Sequence, residues 1–119
     1  MLNRKQLKDE YKLTVQPAGV FQIKNTLNGK IFIGSSVNLN AIWNRHRFQL
    51  EAGLHANKEL QKDWNASGPD NFVFEILGTQ KKKDDPSFDM LKEVKILEEM
   101  YLEELQPFGD KGYNQVKTV

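Results

Sequence analysis

The sequence predicts an α+β domain: a small three-stranded antiparallel sheet, made of an N-terminal hairpin and one later strand, flanked by helices. Three observations predict it. Two short β-branched and aromatic runs flank Asn28-Gly29, a strong hairpin signal. A third such run, Phe72-Val73-Phe74-Glu75-Ile76-Leu77, is bounded by Gly68-Pro69 and Gly78. A long segment of helical period follows it and ends at Pro107 and Gly109.

Taken in order, residues 3–13 read as a short helix with Leu7, Tyr11 and Leu13 on its sparse apolar side. Pro17 and Gly19 break the chain and start a strand over 19–25, and its partner runs over 30–35. Asn38 or Ser36 suits the N-cap of a helix that Gly53 ends. A second helix covers 56–66 and stops at Ser67-Gly68-Pro69, and the third strand covers 72–77 and ends at Gly78. The charged run 81–86 is a solvated connector, and the long helix spans 87–106. Gly112-Tyr113-Asn114 forms a further turn. The organisation expected is an N-terminal helical extension over 1–17, one domain over 18–115 and a tail over 116–119.

Composition sets outer bounds. A length of 119 residues, with 39% hydrophobic and 28% charged, suits one soluble globular domain. No apolar run approaches the ~20 residues of a membrane span. The first residues lack the apolar centre of a signal peptide. The absence of cysteine excludes disulfides and thiolate metal sites and fits a cytoplasmic protein. The net charge of +1 hides an asymmetry. Between 21 and 63, Lys24, Lys30, Arg45, Arg47, Lys58 and Lys62 outnumber Glu51, Glu59 and Asp63. Between 84 and 106, eight acids face only Lys92 and Lys95. One basic and one acidic face are expected.

Two polar side chains fall among apolar ones. On a wheel of about 100° per residue, Met90, Leu91, Val94, Leu97, Tyr101, Leu102 and Leu105 share one arc of the long helix, and Glu98 lies inside it. A carboxylate there is costly unless it is paired, binds metal or reaches water in a cleft. The 38–53 helix places Leu39, Ile42, Trp43, Leu50 and Leu54 on one side with His46 among them. Arg45 and Arg47 flank that side, an arrangement suited to phosphate contact. Phe48, on the opposite side, is expected to pack on the second helix or the N-terminal segment.

These strings, in this order, resemble the GIY-YIG nuclease family over about residues 18–114. Gly19-Val20-Phe21 and Phe32-Ile33-Gly34 stand at the two signature tripeptides. Asn38-Leu39, Trp43 with His46, Gly53-Leu54-His55, Trp64-Asn65 and Gly112-Tyr113-Asn114 continue the match. The resemblance implies hydrolysis of a DNA phosphodiester with one divalent ion, Mg2+ or Mn2+, held by Glu98. It places His46 and Asn114 in the catalytic set with Glu98; His46 is expected to act as base, Arg45 to join the set from one turn beyond Ile42, and Arg45, Arg47, Lys58 and Lys62 to contact phosphate. Gly34 matches the glycine that lets the second strand approach the site, and His55 stands where some members keep a histidine.

The departures bear on the chemistry. Phe21 and Phe32 replace two tyrosines and remove both hydroxyls. Ile42 stands where the family's arginine is expected, one helical turn before Arg45. One lost electrostatic donor typically costs about 10²–10³ in rate. The expectation is therefore a DNA endonuclease domain of weakened or rewired activity. The alternative is a degenerate scaffold that binds nucleic acid or protein.

Overall fold

The computed structural model describes residues 17–116. The helix expected over 3–13 and the end of the tail lie outside them. The hairpin forms as the sequence indicates: β1, Ala18–Asn25, and β2, Ile31–Ser36, pair antiparallel. The Asn25 N–H donates to the Lys30 carbonyl at 2.9 Å, and the Gly29 N–H to the Asn25 carbonyl at 2.8 Å. Asn28 Oδ1 accepts from the Lys30 N–H at 2.9 Å, the local bonding that makes asparagine a turn residue.

The third strand, β3, is Phe72–Gln80 and pairs antiparallel with β1, so the sheet order is β2-β1-β3. It runs past Gly78, where the sequence suggested an end. A register shift between Val20 and Phe21 brings Gly78 opposite Val20. The Tyr101 ring closes over this point: a Cβ on Gly78 would sit 2.7 Å from Tyr101 Oη. The glycine admits a ring here instead of stopping a strand.

Helix α1, Leu39–Glu51, is capped by Asn38, whose Oδ1 accepts from the Ala41 N–H at 3.1 Å. Ser36 Oγ in turn accepts from the Asn38 N–H at 3.0 Å, so both expected cap residues are engaged. Helix α2, Lys58–Ser67, starts later than expected because Asn57 is its cap, accepting from the Leu60 N–H at 3.0 Å. Helix α3, Met90–Leu105, likewise starts at an Asp89 cap. Ser87 belongs to a turn in which Asp85 accepts from both its N–H and its hydroxyl.

Strand pairing sorts side chains by face. Phe21 and Ile23 of β1 share one face with Phe32 and Gly34 of β2. That face meets Leu39, Leu50, Leu60, Trp64, Phe72 and Tyr113 in the main core, with Ile42, Trp43 and Phe74 packed against it. Val20, Ile33 and Gly78 point to the other face, which α3 covers with buried Val94 and with Tyr101. The sheet thus lies between α1 and α2 on one side and α3 on the other.

The apolar arcs read from the sequence were too wide. Leu91 is 58% exposed and Leu105 also reaches solvent, because the sheet covers only the middle of α3. Leu54 is 72% exposed, since α1 stops at Glu51 and the chain turns away. Phe48 is 71% exposed, so its ring is not buried against α2; the N-terminal segment expected as its other partner lies outside the described residues. Among the described residues no helix is long and apolar enough to cross a membrane.

The chain end is held by a buried network. The Tyr113 hydroxyl donates to Asp63 Oδ2 at 2.7 Å and accepts from Asn25 Nδ2 at 3.0 Å. Burial, with the Asp63 carboxylate, pushes the Tyr113 hydroxyl up to about 12, so it stays a donor. The Tyr113 N–H reaches the Ile31 carbonyl at 2.9 Å, and Gly112 bridges Ile31 in parallel, so the segment covers part of the β2 edge.

Candidate active site

Two groups of the expected residues gather on the two sides of β2. The first surrounds His46 on α1. Its ring centroid lies 5.4 Å from Phe21 and 5.7 Å from Phe32. Its Nδ1 lies 2.7 Å from Nε2 of His55, and Phe32 meets the His55 ring edge-on at 5.8 Å. Burial, then His55, then Arg45 push the His46 imidazole down to about 4, so it is neutral at pH 7. His55, only 2% exposed, is also lowered, chiefly by burial.

His55, expected only as a position where some family members keep a histidine, lies against both His46 and Phe32. The signal available was thin: the chain has two histidines. Nothing in their spacing says that the loop after α1 folds back onto it. Gln61 makes that fold-back possible: its Oε1 accepts from the His55 N–H at 3.0 Å, and its Nε2 donates to the Leu50 carbonyl at 2.9 Å. One buried amide thus ties the loop to the end of α1.

The second group stands on α3 and the chain end. Glu98 is half-buried, its side chain 17% exposed, with Lys95 Nζ at a loose 3.9 Å. It lines a groove with Leu102, Gln106, Phe108 and Asn114. The wheel had set this carboxylate inside an apolar arc, and the groove gives it water. Asn114, expected among the catalytic residues, spends both amide groups on β2. Its Oδ1 accepts from the Ile33 N–H at 2.8 Å and its Nδ2 donates to the Ile33 carbonyl at 2.9 Å.

The lining of that groove includes neither His46 nor His55. What joins the two groups is β2: Phe32 faces the histidines, and the next residue, Ile33, carries Asn114 on its backbone. The motif glycines serve the same strand set. A Cβ on Gly34 would meet Phe21 Cζ at 2.6 Å, so the ring requires a glycine beneath it. A Cβ on Gly19 would lie 2.0 Å from the Gly78 carbonyl oxygen, so β1 approaches β3 there only with a glycine.

Phe21 is buried and stacks on Phe74 at 5.3 Å, while Phe32 is half-buried. Ile42 packs against the core, as its apolar side chain demands. Arg45, Arg47, Lys58 and Lys62 are all exposed, and Arg47 pairs with Glu51 at 3.8 Å. Lys30 is drawn into an ion pair with Glu59 and lies over the Tyr113 ring, so it adds little to a basic face.

Among the described residues no three His, Cys, Asp or Glu side chains are grouped as metal ligands. That donor set does not suit zinc, which takes three or four protein ligands. It suits an ion such as Mg2+, which keeps several waters and takes one or two carboxylates together with substrate phosphate. Three carboxylates, Glu98, Glu99 and Glu103, line the groove.

Comparison with known proteins agrees with this architecture. No family model matches the chain. Over 51 residues it is 43% identical to Intron-associated endonuclease 1 of Enterobacteria phage T4. That stretch is 43% of this chain, and the chain spans 21% of the relative's length. The catalytic domain of homing endonuclease I-TevI is similar at a TM-score of 0.67 and 31% identity, covering 84% of this chain and 99% of that domain. The same domain with one glutamate changed to alanine gives a TM-score of 0.70 at 29% identity, covering 87% and 98%. With the three-stranded sheet, the flanking helices and the two tripeptides on paired strands β1 and β2, joined where Phe21 faces Gly34, the chain belongs to the GIY-YIG nuclease family.

Proposed function

We propose that this domain is a DNA endonuclease domain that hydrolyses phosphodiesters with one Mg2+ or Mn2+ ion, at an activity weakened by its replaced side chains. The observation that carries the proposal is Glu98, a half-buried carboxylate opening on a groove. Glu98 would hold the ion, and the open side of the groove leaves room for water and phosphate. Bound there, the ion supplies Lewis-acid stabilisation of charge on the phosphate oxygens. Arg45 and Arg47 on α1, with Lys58 and Lys62 on α2, would hold the DNA backbone through charge-assisted contacts. Asn114 keeps β2 in place between Glu98 and the histidines.

Cleavage of supercoiled plasmid with Mg2+ or Mn2+, by the native chain and by Glu98→Ala, tests this. Cleavage by the native protein and none by the variant is expected. Failure of the native protein at high concentration sinks the proposal. Equal cleavage by both places the activity somewhere other than Glu98.

A second reading, a scaffold that binds nucleic acid without cutting it, is favoured by two observations. Ile42 packs against the core where the family's arginine is expected, and Phe21 and Phe32 bring no hydroxyl to the site. DNA affinity measured against salt, without metal, should then fall steeply as salt rises.

A further inference from the structure

The two histidines form a relay whose proton positions follow from one backbone group. The Asn57 N–H points at His55 Nδ1, 3.0 Å away. A backbone amide can only donate, so Nδ1 presents a lone pair. A neutral imidazole then carries its single proton on Nε2. That nitrogen lies 2.7 Å from His46 Nδ1, where two protons or two lone pairs would repel. The His55 Nε2–H therefore donates, His46 Nδ1 accepts, and the His46 proton sits on Nε2.

The start of the relay is fixed. Asn57 caps α2 through its Oδ1, and its Nδ2 donates to the Tyr113 carbonyl at 2.7 Å. Gln61 holds the His55 N–H. Phe32 and Phe21 crowd the rings and offer no competing polar partner. The charges that bear on the pair, Arg45 on α1 and Lys58 on α2, are both cations and disfavour an imidazolium in either ring.

We propose that His55 is a positioning residue that fixes His46 as the neutral Nε2–H tautomer, so that His46 acts as a hydrogen-bond donor to a phosphate oxygen and not as the base. The sequence reading made His46 the base. With Nδ1 occupied and Nε2 protonated, its ring has no free basic nitrogen. A donor on this side of β2 would stand in for the hydroxyls that Phe21 and Phe32 do not bring. Only the choice of phosphate as acceptor rests on the nuclease reading; the tautomer does not.

Ring nitrogen–proton correlation spectra of ¹⁵N-histidine-labelled protein at neutral pH, without DNA or metal, test the tautomer. Both histidines should be neutral, with the proton on Nε2. In His55→Ala the His46 signals should move toward a mixture of tautomers. His55→Gln should restore the native pattern, because its amide can both accept from Asn57 and donate to His46. A proton on His46 Nδ1, a charged His46, or a His46 spectrum unchanged in His55→Ala overturns the proposal. If His55→Ala does not fold, the native spectrum still decides. The donor role is read from affinity for a short DNA duplex, which should be about tenfold weaker in His46→Leu. Equal affinity overturns the donor role. Absence of DNA binding by the native protein overturns the nuclease reading with it, while the spectra report the tautomer independently.

Discussion

Asn114 clasps the backbone of Ile33 with both halves of its amide, accepting from the N–H at 2.8 Å and donating to the carbonyl at 2.9 Å. This pair joins residues 81 positions apart and holds the edge strand between the two halves of the candidate site. Asn114→Ala should leave two part-buried groups of β2 without partners. A loss of about 1–3 kcal/mol is expected, read as a lower urea midpoint. A midpoint equal to that of the native chain would show that the clasp does not hold the strand.

Gly34 and Phe21 make a second prediction. A Cβ on residue 34 would sit 2.6 Å from Phe21 Cζ, and that ring is buried against Phe74 and His46. Gly34→Ala should cost about 1–3 kcal/mol through overpacking. Phe21→Leu, which shortens the offending side chain, should recover part of that loss in a double-mutant cycle. Additive effects of the two changes would mean that they do not meet.

The pH dependence follows from His46. Its imidazole is pushed from 6.5 down to about 4, so between those values the unfolded chain binds a proton that the folded chain does not. The contribution is complete above 6.5 and is lost as pH falls toward 4. It should amount to roughly 1–2 kcal/mol, discounted for the ring's partial exposure. Urea titrations at pH 7 and pH 5 should show a smaller loss in His46→Gln, which does not titrate. An equal loss in both proteins would assign the acid sensitivity to other groups.

The replaced site side chains give a gain-of-function test. If the nuclease reading holds, Phe32→Tyr with Ile42→Arg should raise plasmid cleavage by about 10²-fold, the usual weight of a restored electrostatic donor. Ile42 packs against the core, so the arginine must lay its stem there and carry its charge outward. A folded double variant with no gain would show that the groove itself has changed.

The legibility of this chain was uneven for physical reasons. The hairpin, the Asn38 cap and the stop of α3 were readable because they are local: Asn28 bonds Lys30, Asn38 bonds Ala41, and Pro107 follows the end of α3, whereas the Asn57 and Asp89 caps were missed. Glu98 stood out because a carboxylate within an apolar arc contradicts its surroundings, and its side chain is half-buried in the structure. Leu54 and Leu91 were misplaced because periodicity tells which side of a helix is apolar and not how far the neighbouring layer reaches.

The sequence by itself determined the family, the sheet's three strands, and the two phenylalanines and the isoleucine that put catalysis in question. Tertiary structure alone decided that β1 is central, that Asn114 serves the Ile33 backbone, and that His55 meets His46. Local choices are made by backbone conformation and side-chain bonds a few residues away, which a sequence displays directly. A contact across a sheet or between a loop and a helix depends on where whole elements pack. The proton on His46 depends on one more such fact, the direction in which the Asn57 N–H points.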